Sequence, residues 1–269
     1  MSQMPRWSML LGSSLLVSCM ATTEPIRTVE VLAEDTAEDP AKDPAEDPAE
    51  DPADRLPQRA ETLVVMLPGM GDDPEAYAEH GFLEDMQRRG LEVDVVSVDA
   101  HLGYYTRREL LPRLREDVFD VARSRGYRSI WVVGISMGGL GALLTAQEFG
   151  DQIDGVVLLS PFLGKRPAIR RIEAAGGARD WQPPAEPSSD YTVELWRWLK
   201  AYATEPATRP AMFVAYGTRE GTRSYPLLAE LLPAERVVTV TGGHEWDTWK
   251  DGWTRLLEAD AFHSDATTP

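Results

Sequence analysis

The chain has 269 residues, with 44 acidic against 27 basic side chains and a formal net charge of -17. At ~100–200 residues per domain, this length allows one domain with appendages or two small ones, and 43% hydrophobic residues supply a sizeable core. A single cysteine excludes a disulfide framework and a multi-cysteine zinc site, and the acidity counts against nucleic acid as a partner, because phosphate recognition needs a positive face.

The N-terminus has a short polar start containing Arg6, followed by a ten-residue apolar run, Ser8–Val17. That run is too short to span a bilayer, which takes ~20 apolar residues, and the arrangement is that of an export signal. It ends Leu16-Val17-Ser18-Cys19, which resembles the bacterial lipobox, whose cysteine receives diacylglycerol. The resemblance implies a signal peptide over residues 1–18, a lipid anchor on Cys19 and the membrane as a partner. Met20, in place of an aspartate, points by the same resemblance to the outer membrane.

Residues 19–60 read as an acidic, proline-rich linker; residues 24–60 alone hold 12 acids and 4 bases. From Ala37 the tetrapeptide Ala-Glu-Asp-Pro recurs, once with lysine. Proline at every fourth position blocks helix and sheet, and like charges extend the chain. The expectation is a stalk reaching on the order of 100 Å if residues 20–60 are PPII-like.

Residues 61–269 form the body. Six short apolar runs predict strands: Thr62–Leu67, Glu92–Val98, Ser129–Val133, Gly155–Leu159, Ala211–Tyr216 and Val237–Thr241. Helices are expected between them, from Asp73-Pro74 to Gly90, over Arg107–Arg125 with Leu111, Leu114, Val118 and Val121 on one face, and over Leu140–Phe149. Alternation of this kind implies an α/β fold, with a mostly parallel sheet of about six strands and helices on both faces. The long segment 161–210, with an aromatic helix near Tyr191–Thr204, is expected to be a small cap, or simply to pack through Trp196 and Leu199.

After the third predicted strand comes Gly134-Ile135-Ser136-Met137-Gly138. G-x-S-x-G between a strand and a helix is the nucleophile-elbow pattern. With this flanking context the body resembles the α/β-hydrolase superfamily, in particular its small esterase-like members, over residues 61–260. The resemblance implies the chain order serine, acid, histidine. Ser136 is then the nucleophile, His244 in Gly242-Gly243-His244 the general base and acid, and Glu220 the orienting acid, where relatives more often carry aspartate. Met70 and Met137 match the backbone N–H donors of the oxyanion hole, and Tyr104 or Tyr105 either lines the pocket or packs.

The expected activity is hydrolysis of a small carboxylic ester through an acyl-enzyme. A thioesterase, an amidase or peptidase with the same triad, or a non-catalytic lipid-anchored envelope protein are the alternatives. No cofactor or metal is expected, since no H-E-x-x-H or H-x-H spacing occurs.

Overall fold

A computed structural model describes residues 26–31, 60–259 and 261–262. Their strands form one seven-stranded sheet in the order β1-β3-β2-β4-β5-β6-β7. The strands are β1 (Thr28–Val31), β2 (Thr62–Leu67), β3 (Val93–Val98), β4 (Ser129–Ile135), β5 (Gly155–Leu159), β6 (Ala211–Gly217) and β7 (Val237–Val240). All neighbours pair in parallel except β1, which runs antiparallel to β3. The fold is that of the α/β-hydrolases.

Burial explains the continuous apolar runs. In a parallel sheet covered on both faces, every position along a central strand needs an apolar side chain. Leu63–Leu67, Ile130–Ile135 and all of β5 are buried accordingly. Successive residues feed two separate cores. Val65, Val132, Val156 and Val214 pack with the side of the sheet that carries α6 (Met137–Glu148). Met66, Trp131, Val133 and Phe213 face α2 (Phe82–Arg88) and α10 (Trp246–Glu258).

The helical segments are more broken than their periodicity suggests. The first is split at Gly81, which has a positive φ of 74°, into α1 (Ala76–Glu79) and α2. The second is preceded by α3 (Leu102–Arg107) and starts again after Arg108 as α4 (Leu110–Leu114), a π-turn (Arg115–Phe119) and α5 (Asp120–Ser124). A π-turn carries one more residue than an α-turn and so rotates the buried face. Leu110, Phe119 and Ala122 are therefore buried with Leu114 and Val118, while Leu111 and Val121 are only half-buried. In the segment 161–210, α7 (Arg166–Ala174) is followed by α8 (Tyr191–Lys200). Trp196 and Leu199 are fully buried, and the Trp196 indole donates to the Leu163 carbonyl at 2.9 Å.

The N-terminal boundary needs a correction. Residues 28–31 fall inside the expected linker yet form β1, so the sheet has seven strands instead of about six. Ile26 is buried, its N–H donates to Asp117 at 2.8 Å, and Arg27 pairs with Glu75 while its carbonyl accepts from Asp99 N–H. The short pattern Thr-Val-Glu-Val is a strand signal, hidden in the sequence by the acidity around it. The proline repeat thus lies between β1 and β2 in chain order, not between an N-terminal anchor and the sheet.

The expected signal peptide over residues 1–18, Cys19, the repeat from Ala37 onward and His263 lie outside the described residues. Among the described residues no helix is long and apolar enough to cross a membrane. In a soluble form beginning at Met20, excising residues 37–56 should leave the Tm nearly unchanged. Starting the chain at Ala60 instead should lower it by about 5 °C, because Ile26 and the β1 ladder are lost. Equal melting of the two forms in a calorimetric scan would show that β1 adds nothing.

Candidate active site

Five loops meet at the edge formed by the C-terminal ends of the parallel strands, the place where such sheets build sites. The central one is the turn from β4 to α6. Ser136 occupies it with φ 51° and ψ -112°, a strained conformation for a residue with a side chain. Crowding of backbone against backbone holds it there. A Cβ at Gly134 would lie 2.3 Å from the Gly138 carbonyl oxygen, and one at Gly138 would lie 1.9 Å from that of Leu67. Only glycine fits either position. The Ser136 N–H donates to Leu159 at 3.0 Å, and its carbonyl accepts from Phe162 N–H at 2.7 Å, so β5 grips the elbow from the side.

His244 comes from the loop between β7 and α10. Its Nε2 lies 2.9 Å from Ser136 Oγ and its Nδ1 lies 2.6 Å from Glu220 Oε2. Ser136, Glu220 and His244 are therefore brought together, over sequence separations of 108 and 24 residues. Behind the imidazole, Trp249 meets it edge-on at 4.9 Å, and Trp246 and His80 stack nearby at 4.0 Å. The other acid of the loop, Glu245, is turned onto its own backbone and accepts from Gly243 N–H at 3.2 Å. His101 caps α3 through Gly103 N–H at 3.1 Å.

The Glu220 side chain is 3% exposed, so its charge must be compensated locally. Four donors do this. Oε1 accepts from Ser160 Oγ at 2.5 Å and from Gly217 N–H at 2.7 Å, while Oε2 accepts from Tyr225 at 3.0 Å and from His244 Nδ1. Burial by itself would raise the pKa of this carboxyl. The hydrogen bonds from His244, Ser160, Gly217 and Tyr225 outweigh it and hold the value below the ordinary 4.5. Tyr225 responds in the opposite sense: burial and the neighbouring Glu220 charge push its hydroxyl far above the ordinary tyrosine range.

Ser160 and Tyr225 have no counterpart in the motif-based reading. Ser160 directly follows β5 with a positive φ of 45°, and its carbonyl accepts from the Tyr225 hydroxyl at 3.1 Å. A serine after an apolar strand at this edge was the only available signal, and it is a common one.

Of the two expected oxyanion donors, Met137 is the first residue of a twelve-residue helix, so its N–H has no carbonyl four residues back. Met70 lies in the turn after β2, closed by Asp72 N–H to Gly69 O at 3.2 Å. That turn begins where Leu67 and Pro68 abut Gly138, so it sits against the first turn of α6. The buried Tyr77 hydroxyl donates to the Leu67 carbonyl at 2.8 Å and steadies the strand end. Tyr104 and Tyr105 take the packing alternative: Tyr104 is in the core, and the buried Tyr105 hydroxyl presses on Gly141 of α6. Among the described residues no three His, Cys, Asp or Glu side chains converge to hold a metal ion.

Residues 58–258 match the family model described as "Putative esterase". No curated protein matches the chain. Among solved structures, S-formylglutathione hydrolase from Staphylococcus aureus is 17% identical with a TM-score of 0.52, covering 77% of this chain and 83% of its own. The fluorophosphonate-binding serine hydrolase FphF of the same organism is 15% identical with a TM-score of 0.51, covering 87% of this chain and 98% of its own. At such identities the likeness is one of fold.

The depressed pKa of Glu220 has a consequence for stability. A carboxyl held below its unfolded value stabilises the fold at neutral pH, and that contribution fades as pH falls through 4.5 toward the folded value. Glu220→Gln should remove this part of the acid limb, and Ser160→Ala should shift it to higher pH by taking away a donor. Urea midpoints measured from neutral pH down to pH ~3 check both; parallel curves for wild type and Glu220→Gln would refute the assignment.

Proposed function

Since this chain belongs to the Esterase family and is accordingly a carboxylic ester hydrolase, we propose that it works through an acyl-enzyme on Ser136. The observation that carries this reading is the unbroken relay from Ser136 Oγ through the His244 ring to Glu220, with contacts of 2.9 and 2.6 Å. With Nδ1–H donated to the Glu220 carboxylate, Nε2 is the acceptor and faces the serine hydroxyl.

In the first half-reaction Ser136 Oγ attacks the ester carbonyl carbon while its proton passes to His244 Nε2. Negative charge develops on the carbonyl oxygen, and the N–H groups of Met70 and Met137 hold it, aided by the positive end of α6. His244 then protonates the departing alkoxide, leaving Ser136 acylated. Water takes the place of the alcohol, gives a proton to His244 and attacks the acyl carbon; the serine oxygen leaves with that proton. Glu220 stays ionised throughout and stabilises the imidazolium that forms twice in each cycle.

Ser136→Ala should reduce turnover of 4-nitrophenyl acetate by at least about 10⁴-fold, and Glu220→Gln by roughly 10³–10⁴-fold. Wild type should be labelled by a fluorophosphonate probe and Ser136→Ala should not. Wild-type turnover by Ser136→Ala would overturn the reading, and absence of both labelling and turnover in the wild type would favour a non-catalytic envelope protein.

For location, we propose a lipid anchor on Cys19 and an outer-membrane site, on the strength of the lipobox-like end of the apolar segment. With β1 starting at Thr28, the tether after Cys19 is short. Residues 20–25 extend at most ~3.6 Å each, or about 20 Å, which would hold the body close to the membrane. The wild-type chain should partition into detergent and incorporate labelled palmitate in a bacterial host, and Cys19→Ser should do neither. Soluble, unlabelled wild-type protein would exclude the anchor.

A further inference from the structure

Beside the triad lies a cavity of about 490 Å³. One wall is α7, and the other is the segment Glu220–Tyr225 after β6. Two of its lining residues also belong to the site: Phe162 through its N–H on the Ser136 carbonyl, and Glu220 through His244. Phe162, which is solvent-exposed, and Glu220 thus join the Ser136 and His244 loops to the rim of this space.

The walls are positively charged, in a chain whose net charge is -17. Arg166 and Arg170 come from α7, and Arg223 from the opposite side. The one carboxylate of the lining is Glu220, whose side chain is 3% exposed and turned onto its own four donors, so the three arginines outnumber it.

The pairing of these arginines is unequal. Arg223 reaches Glu173 at 3.5 Å, and Arg171, which is not on the lining, reaches Asp190 at 3.7 Å. Arg166 and Arg170 have no ion pair or hydrogen bond through their guanidinium groups among the described residues. At a spacing of i, i+4 they share one face of the helix, where like charges repel. With acids in such excess along the chain, two neighbouring arginines that have no acidic partner among the described residues are placed for a ligand that brings its own negative charge. Ile169, Phe162 and Tyr225 supply an apolar surface in the same cavity.

We propose that this cavity binds the anionic end of the ester substrate, a carboxylate or an equivalent oxyanion, with Arg166 and Arg170 as the specificity-determining donors. The forked guanidinium N–H groups suit a planar two-oxygen anion. This rests on the Ser136 reading and names the class of ester that the site prefers. The arginines are exposed to solvent, so the preference is screened by salt.

The test uses two matched pairs of esters. Mono-4-nitrophenyl glutarate against 4-nitrophenyl valerate places the charge on the acyl half. Then 4-acetoxybenzoate against its methyl ester places it on the alcohol half. Wild type should favour the charged member of at least one pair by about tenfold in kcat/KM, and the pair concerned identifies the half. The Arg166→Gln/Arg170→Gln variant should lose that preference while keeping the wild-type rate on the neutral esters, and high salt should reproduce the loss. Equal rates within both pairs for the wild type, or a variant that slows equally on all four esters, overturns the proposal. If no ester is hydrolysed and no fluorophosphonate is bound, the Ser136 reading fails instead. The cavity is then judged by calorimetric titration with glutarate: binding weakened about tenfold in the variant supports it, and identical titrations overturn it.

Discussion

The buried carboxylate of Glu220 is the interaction on which the rest of the site depends. A charge at 3% exposure is unfavourable unless donors surround it, and here they come from four places: the end of β5, the end of β6, the start of α9 (Ser224–Ala229) and the loop after β7. Each donor fixes a separate stretch of chain. Ser160 accepts a positive φ to aim its hydroxyl, and Tyr225 ties Glu220 to the Ser160 carbonyl. The Gly217 N–H draws the longer glutamate side chain back onto its own loop. The imidazole is the fourth donor, so the same compensation that makes the carboxylate tolerable also orients His244 toward Ser136.

A second constraint acts at the elbow, and it is steric. The end of β2, the end of β4 and the first turn of α6 approach so closely that Gly134 and Gly138 leave no room for a side chain. That contact forces Ser136 into its strained turn and sets the first N–H of α6 beside the loop that carries Met70. The parallel sheet is the precondition. Because β2 and β4 to β7 run the same way, all the loops concerned emerge at one edge.

Charge is distributed by position along this chain. The proline repeat is densely acidic, yet the residues just before it are drawn into the sheet as β1, with Ile26 buried and Arg27 paired to Glu75. The repeat is therefore flanked on both sides by strands of one sheet. Near the triad the balance reverses, and arginines from α7 gather on one wall of the adjoining cavity. Net charge alone conceals both facts.

The main outline was legible in the sequence because it rests on local patterns. Continuous apolar runs marked six of the seven strands to within two residues at each end, since buried parallel strands tolerate little else. Gly134-x-Ser136-x-Gly138 was legible because backbone crowding admits only glycine, and Glu220 and His244, which the structure brings to Ser136, were picked out by the chain order that the hydrolase resemblance implies. What tertiary structure alone decided concerns groups that are distant in sequence and ordinary in type. Thr28–Val31 becomes a strand only because β3 offers an open edge. The helix over Arg107–Arg125 breaks and bulges to fit the sheet beneath it. Ser160 and Tyr225 matter only through a carboxylate that is 60 residues from one and 5 from the other. Arg166 and Arg170 carry no signal in the sequence that sets them apart from other helix arginines; only the loop after β6 makes a cavity against them. Hydrophobic periodicity and glycine sterics are written into neighbouring residues, whereas compensation of a buried charge and the shape of a cavity arise only when remote segments meet.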